Sequence, residues 1–368
     1  MTPVRVLVVD DSALMRKLIP QILQTDSSIQ VVGTAMDGNF GLRKIDELQP
    51  QVITLDLEMP GMGGLDMLKE IMRRHRLPVI VVSSHSTQGA SVTLQALSLG
   101  AFDFVAKPND VYARMPQIAA ELISKIKAAA QSRGVTVRAV DAPRPERKAA
   151  LDAKRAPTKV IAIGVSTGGP QALQYLFSQL PADFPGTIVA VQHMPEGFTE
   201  MFARRLDEMC SVGVKEAQSG DVLLAGRVLI CPGSRHLKVK RLPLGDVAVL
   251  SDEPRVNGHR PSVDVLFKSL ADEFGSKGVA VLMTGMGDDG AQGMGAVKAV
   301  GGMTIAQSED SCVVYGMPKA AIDRGFAVRV VGLDVLANTL QAQCMPERRN
   351  GFGSDSGEGG KAASAGRE

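Results

Sequence analysis

At 368 residues the chain is long enough for two or three domains of ordinary size. Its 45% hydrophobic and 22% charged residues are a soluble globular balance that excludes wholesale disorder. A net charge of +2, only 4% aromatic residues and no Trp argue against a nucleic-acid partner.

The first apolar run, VRVLVVD from Val4, stops at Asp10 and Asp11. It is too short for a signal peptide or a membrane span, which points to a cytoplasmic protein with no membrane insertion. Four further β-branched runs follow, QVVGTAM, QVITLD, PVIVVSS and FDFVAK, each trailed by a helical pattern, the last being PQIAAELISKIKAAAQ. This alternation predicts an α/β domain over 1–130, a flavodoxin-like, doubly wound unit on a five-stranded parallel sheet with ligands at the carboxyl ends of its strands. Residues 131–157, rich in Pro, Arg, Lys and Ala, read as a flexible linker.

A second α/β domain is expected over 158–345, with a larger, mostly parallel sheet of Rossmann-like winding. Its strand candidates are VIAIGV, GTIVAVQ, GRVLICP, VAVLS, GVAVLM, MTIAQ and FAVRV. Residues 346–368 are Gly, Ser and charge with almost nothing to bury, and are expected to be a disordered tail. Cys210, Cys231, Cys312 and Cys344 lack any C-x-x-C or zinc-like spacing and read as buried reduced thiols.

In the first domain Asp10 and Asp11 close the first strand, Asp56 the third, Ser83 the fourth and Lys107 the fifth. In a parallel sheet these ends share one edge, and three carboxylates gathered there repel one another unless a hard cation such as Mg²⁺ joins them. A carboxylate beside Mg²⁺, a hydroxyl and an ammonium can attack a phosphoryl group, because the cations neutralise the charge on the phosphoryl oxygens. Singly, each residue has a plainer reading: Asp at a strand end often caps the next helix, and Phe104 suits an ordinary core. As a set, they make residues 4–130 resemble a response-regulator receiver domain. The resemblance implies Asp56 as phosphoryl acceptor, Asp10, Asp11 and Asp56 as Mg²⁺ ligands, Ser83 and Lys107 as readers of the phosphoryl group, Phe104 as the aromatic switch residue, and a histidine kinase as phosphodonor.

The stretch VIAIGVSTGGPQAL opens the second domain with G-x-S-x-G at 164–168. It can be a phosphate cradle or a platform for Ser166 on a sharp strand-to-helix turn. A Walker loop would add a Lys and a dinucleotide fingerprint would space its glycines differently, so the serine reading gains. A nucleophilic serine needs a base. His75 and His85 fall in the first domain at surface positions, whereas His193 ends the strand after the serine's own βα unit, where a right-handed crossover sets it beside Ser166. His236 and His259 lie in loop-rich stretches that can also reach the cleft. A carboxylate to hold the base comes from GVAVLMTGMGDDGAQGM, as Asp288 or Asp289, one of which can be a helix cap. An α/β-hydrolase order would instead need Asp221 or Asp252 with His259, and neither aspartate follows a strong strand. The elbow geometry suggests the Thr167 N–H as an oxyanion donor. Met194, Met201, Met283 and Met286 cluster near these loops and read mainly as gap fillers.

The segments GVSTGGP, VQHMP, CPGSRHL, HRPSVDVLF and LMTGMGDDGAQGM together resemble the catalytic domain of chemotaxis-specific protein-glutamate methylesterases. That resemblance implies Ser166 as nucleophile, His193 as base, Asp289 as third member and the Met286 backbone N–H as oxyanion donor, with no cofactor for the ester reaction. It also implies, as substrate, methyl-esterified glutamates and glutamines on the cytoplasmic helices of methyl-accepting chemoreceptors. Two other function classes compete: a receiver joined to a nucleotide-binding module, and a non-enzymatic signalling adaptor.

Overall fold

Two parallel sheets, each covered by helices, appear in the computed structural model, which describes residues 2–84, 86–107, 115–132 and 155–345. His85, residues 133–154 of the expected linker and the expected tail 346–368 lie outside the described residues.

The first sheet comprises β1 (Val4–Val9), β2 (Ile29–Ala35), β3 (Val52–Asp56), β4 (Val79–Ser83) and β5 (Asp103–Ala106) in the order β2-β1-β3-β4-β5. Its helices are α1 (Ala13–Leu23), α2 (Gly38–Leu48), α3 (Gly64–Arg74), α4 (Thr87–Ser98) and α5 (Met115–Gln131). All neighbouring strands are parallel, so each pair needs a crossover, and strands covered on both faces read as unbroken apolar runs. VITLD of β3 and VIVVS of β4 are accordingly buried at every position. Helix starts are set by side-chain caps: Ser12 Oγ accepts the Met15 N–H, and Asp37 Oδ1 accepts the Phe40 N–H at 2.8 Å.

The second half runs β6 (Val160–Val165), α6 (Gly169–Ser178), β7 (Thr187–Gln192), α7 (Phe198–Met209), β8 (Gly213–Glu216), β9 (Arg227–Ile230), β10 (His236–Lys240) and β11 (Val247–Ser251). It continues through α8 (Val263–Phe274), β12 (Gly278–Leu282), α9 (Ala291–Ala299), β13 (Met303–Gln307), α10 (Met317–Asp323), β14 (Arg329–Val331) and α11 (Leu333–Cys344). Seven strands form one parallel sheet in the order β14-β13-β12-β6-β7-β9-β8. From β6 the chain builds outward first through β7 and later, on the other side, through β12. That reversal opens a crevice at the carboxyl ends of β6, β7 and β12, the place where such sheets bind ligands.

The sheet departs from the sequence reading in its periphery. VAVLS, a strand candidate of the second domain, is β11; it lies outside the seven-stranded sheet, paired with β10 in an antiparallel hairpin and bridged to Val222 through Val247. FAVRV contributes only the short edge strand β14. β8 (GVKE) and β10 (HLKVK) lie outside the strand candidates, because short runs interleaved with Lys and Glu carry little apolar signal. All four cysteines are free and buried, and burial pushes the Cys210 and Cys312 thiols up to about 12.

The two domains touch through α4, β5 and α5 of the first. Gln171 Nε2 on α6 donates to Leu97 O (3.2 Å) and Ala101 O (2.9 Å), and Arg205 Nη2 on α7 donates to Ser98 Oγ at 2.7 Å. Phe104 of β5 stacks on Phe198 of α7 with ring centroids 4.8 Å apart. From α5, the Ser124 hydroxyl contacts Met286 Sδ. Among the described residues no helix is long and apolar enough to cross a membrane.

Candidate active site and phosphoacceptor pocket

The β6–α6 turn carries Ser166. Val165 lies opposite Gln192 in the β6–β7 register, and the His193 N–H donates to Val165 O at 3.2 Å, so Ser166 and His193 leave adjacent strands side by side. The turn is pinned by hydrogen bonds to its main chain. Ser166 N–H donates to Thr284 O (3.0 Å), Gln192 Nε2 donates to both Ser166 O (3.0 Å) and His193 O (3.1 Å), and Thr284 Oγ1 donates to Thr167 O (2.9 Å). Gly168, at φ 74°, rather than Ser166 carries the left-handed backbone of this turn. A Cβ there would also lie 2.5 Å from Val313 Cβ. At Gly164 a Cβ would lie 2.1 Å from Val263 Cγ1, so this glycine lets the start of α8 close onto the strand. These glycines therefore serve packing and turning within the chain.

Across the crevice, Asp289 is 1% exposed and its Oδ2 lies 2.9 Å from His193 Nε2. The carboxylate sits on the N-terminus of α8, accepting the Val263 N–H (2.7 Å) and Asp264 N–H (3.2 Å), the Ser262 hydroxyl (2.8 Å) and the Asn257 amide (3.2 Å). Ser262 precedes α8 but makes no cap bond of its own; Asp289 fills that place from another segment. Burial acts to raise the Asp289 pKa, but the bond and charge of His193, with the Val263 and Ser262 donors, outweigh it and hold the carboxyl far below the usual range. Asp288, the other sequence candidate, is exposed and paired with Arg324 at 2.7 Å.

With Nε2 on Asp289, the His193 nitrogen left for chemistry is Nδ1, which is buried and, among the described residues, without a hydrogen-bond partner. The Ser166 hydroxyl is not hydrogen-bonded to it here; such bonds often tighten only in the substrate complex. Met286 follows β12 in the same loop as Asp289, and among the described residues neither its N–H nor that of Thr167 is donated to a protein acceptor.

The remaining histidines separate cleanly. His236 is fully buried, its Nε2 on Pro254 O (3.0 Å) and its Nδ1 accepting the Ser262 N–H (3.2 Å), and so supports the loop below the site. His75 follows α3, with its Nε2 3.8 Å from Asp46. His259 lies flat on His193, with ring centroids 3.9 Å apart and planes within 1°. Asp221 and Asp252, needed by a hydrolase order, are bonded to Lys215 (2.8 Å) and to Arg235 (2.9 and 2.7 Å) instead.

At the carboxyl edge of the first sheet, oxygens of Asp10, Asp11 and Asp56 lie within 4.8 Å of one another. Lys107 Nζ bridges Asp56 Oδ2 at 2.6 Å and Asp10 Oδ2 at 3.1 Å. Burial, reinforced by the charge of Asp56, raises the Asp10 pKa against the opposing charge of Lys107. The pocket's oxygen donors suit a small hard cation. Ser83 Oγ is engaged with α4 instead of Asp56: it accepts from Thr93 Oγ1 (2.5 Å) and donates to Gly89 O (3.3 Å). Phe104 is buried in the interdomain stack already described.

A family model described as CheB methylesterase matches residues 161–340, and one described as response regulator receiver domain matches residues 6–118. A protein-glutamate methylesterase/protein-glutamine glutaminase 2 of Koribacter versatilis is 60% identical over 359 residues, covering 95% of this chain and 99% of that protein. The chain belongs to the CheB methylesterase family. A second family member, from Symbiobacterium thermophilum, is 45% identical over 92% of this chain and 96% of its own length. The crystal structure of the Thermotoga maritima CheB methylesterase catalytic domain is 41% identical, covering 50% of this chain and 97% of that one, with a TM-score of 0.49.

Motif spacing does not point to the groups that hold Asp289 in this CheB-type site: Ser262, Asn257 and the first N–H groups of α8. One signal was available, since Ser before Val-Asp and an apolar helical pattern in HRPSVDVLF marks a helix start, and helix starts attract carboxylates.

Proposed function

We propose that this chain hydrolyses γ-methyl esters of glutamyl side chains, and deamidates glutamines, on the cytoplasmic helices of methyl-accepting chemoreceptors in chemotaxis adaptation, under control of phosphorylation at Asp56. The observation that carries this reading is the His193–Asp289 pair, whose free Nδ1 is set beside the serine turn at the sheet's switch point.

Ser166 Oγ attacks the ester carbonyl while His193 Nδ1 takes its proton, and Asp289 steadies the imidazolium through Nε2–H. The carbonyl oxygen becomes an oxyanion facing the Thr167 and Met286 N–H groups. Collapse of the tetrahedral intermediate breaks the C–O bond, and methanol leaves with the proton from His193. Water, deprotonated by the same nitrogen, then hydrolyses the acyl-serine to the glutamate and restores Ser166. With glutamine the leaving group is ammonia. A methyl group offers only about 1–3 kcal/mol of discrimination, so specificity has to come from the receptor helix around the ester.

In the receiver, Asp10, Asp11 and Asp56 would hold Mg²⁺, which neutralises charge on the phosphoryl oxygens; the ester reaction uses no cofactor. Phosphoryl transfer from the histidine kinase to Asp56 sets new negative charge beside Lys107 and gives the Ser83 hydroxyl a stronger acceptor than Gly89 O. Turning Ser83 away from Thr93 and Gly89 perturbs α4, whose far end is held by Gln171 and Arg205. The receiver thereby loosens from the catalytic crevice, where Ser124 covers Met286. A complete switch from 1:99 to 99:1 needs about 5.5 kcal/mol, so one phosphoryl group gives a partial shift.

Methanol release from radiomethylated receptor membranes tests this reading. The wild-type chain is expected to release methanol, faster with a small phosphodonor, and Asp56→Ala to lose the stimulation. No release from wild type under either condition contradicts it.

A further inference from the structure

Residues 256–259, Val-Asn-Gly-His, form a tight hairpin. Val256 and His259 exchange both backbone bonds, at 3.0 and 2.9 Å, and the tip residues Asn257 and Gly258 have φ of 53° and 78°. Positive φ at both central positions is the type I′ turn, for which Asn-Gly is the preferred pair. Arg255 Nη1 donates to Gly258 O at 3.1 Å and ties the tip to its stem. The turn fixes two side chains at once. Asn257 Nδ2 reaches Asp264 Oδ2 (2.7 Å) and Asp289 Oδ1 (3.2 Å), while the His259 ring covers one face of His193 at 3.9 Å between centroids.

The ester reaction derived above uses no atom of His259, yet two properties of the base depend on what lies on that face. The Asp289 bond fixes His193 at one nitrogen only; a flat neighbour fixes the plane in which Nδ1 meets the serine. When Ser166 attacks the ester carbonyl, and again when water attacks the acyl-serine carbonyl, His193 also becomes a planar cation. A neutral π face attracts a cation, whereas a charged neighbour repels it. The groups facing His259 are His193 after β7, Asp289 after β12, Arg255 on its own hairpin and Glu121 of α5. Burial, then the charge of His193, presses its pKa down to about 4 against the opposing pull of Asp289, so the ring is neutral near pH 7.

We propose that His259 is a positioning residue for the general base, fixing the plane of His193 and presenting a neutral π face to the imidazolium formed in each half-reaction. The proposal rests on Ser166, His193 and Asp289 being the reacting set, and its test keeps the two apart.

The rate at which a fluorophosphonate labels Ser166 in the full chain, followed across pH, reads the base directly without a receptor substrate. His259→Ala is expected to slow labelling about tenfold or more near neutral pH. His259→Phe, which keeps a flat neutral ring, restores most of the rate. His259→Lys sets a cation against His193, lowers its pKa and moves the acid limb of the profile to lower pH by about one unit or more. An Ala variant as fast as wild type, a Phe variant as slow as Ala, or an unmoved limb in the Lys variant overturns the proposal; if the Ala variant does not fold, the Phe and Lys variants still decide. Wild type left unlabelled at Ser166 overturns the nucleophile assignment and the proposal with it, a signature distinct from a labelled chain indifferent to residue 259.

Discussion

Neighbouring aspartates with the same side chain have opposite fates here because of what surrounds them. Asp289 is buried under five donors, whereas the Asp288 side chain is paired with Arg324 at the surface, an ion pair of the kind worth about 1 kcal/mol or less. Asp289→Asn is expected to lower kcat for methanol release by roughly 10³–10⁴-fold, since the tautomer and the charge opposite His193 are both lost. Asp288→Ala should stay within about threefold of wild type in the same assay. Equal losses in the two variants would place the third member of the triad wrongly. Sequence alone leaves this pair unresolved because both residues sit between a strand and a helix, and only the approach of α8 decides which carboxylate faces inward.

At the scale of elements, the site depends on how closely α8 meets β6. Gly164→Ala would force its Cβ against Val263 at the helix start that holds Asp289. Overpacking of this kind costs about 1–3 kcal/mol, and displacing a catalytic group by an ångström costs on the order of 10²-fold in rate. A variant that melts lower and turns over about 10–100-fold more slowly is therefore expected by thermal unfolding and steady-state kinetics; wild-type values for both would contradict this account of the glycine. Positions such as Ser166 and His193 were legible in sequence because β-branched runs mark strand ends, and parallel winding puts those ends on one edge. The two-way growth of the sheet from β6, the separate β10–β11 hairpin and the return of residues 256–259 over His193 were not. Each depends on long-range packing that leaves no local period.

Over the whole molecule, the described residues join receiver and catalytic domain through polar contacts, one aromatic stack and an apolar cluster shared by both, none of which the sequence revealed. Each such hydrogen bond contributes about 1 kcal/mol. Gln171→Ala combined with Arg205→Ala, in the full chain, should raise unphosphorylated methanol release by about tenfold and shrink the further gain from a phosphodonor. An unchanged basal rate would mean that these contacts do not hold the receiver over the crevice.

The most direct test of the central assignment is methanol release by the Ser166→Ala chain, measured beside wild type on the same radiomethylated receptor membranes. A fall of at least about 10³-fold is predicted, because the oxyanion donors and binding surface survive but the nucleophile does not. A variant within tenfold of wild type would contradict the account.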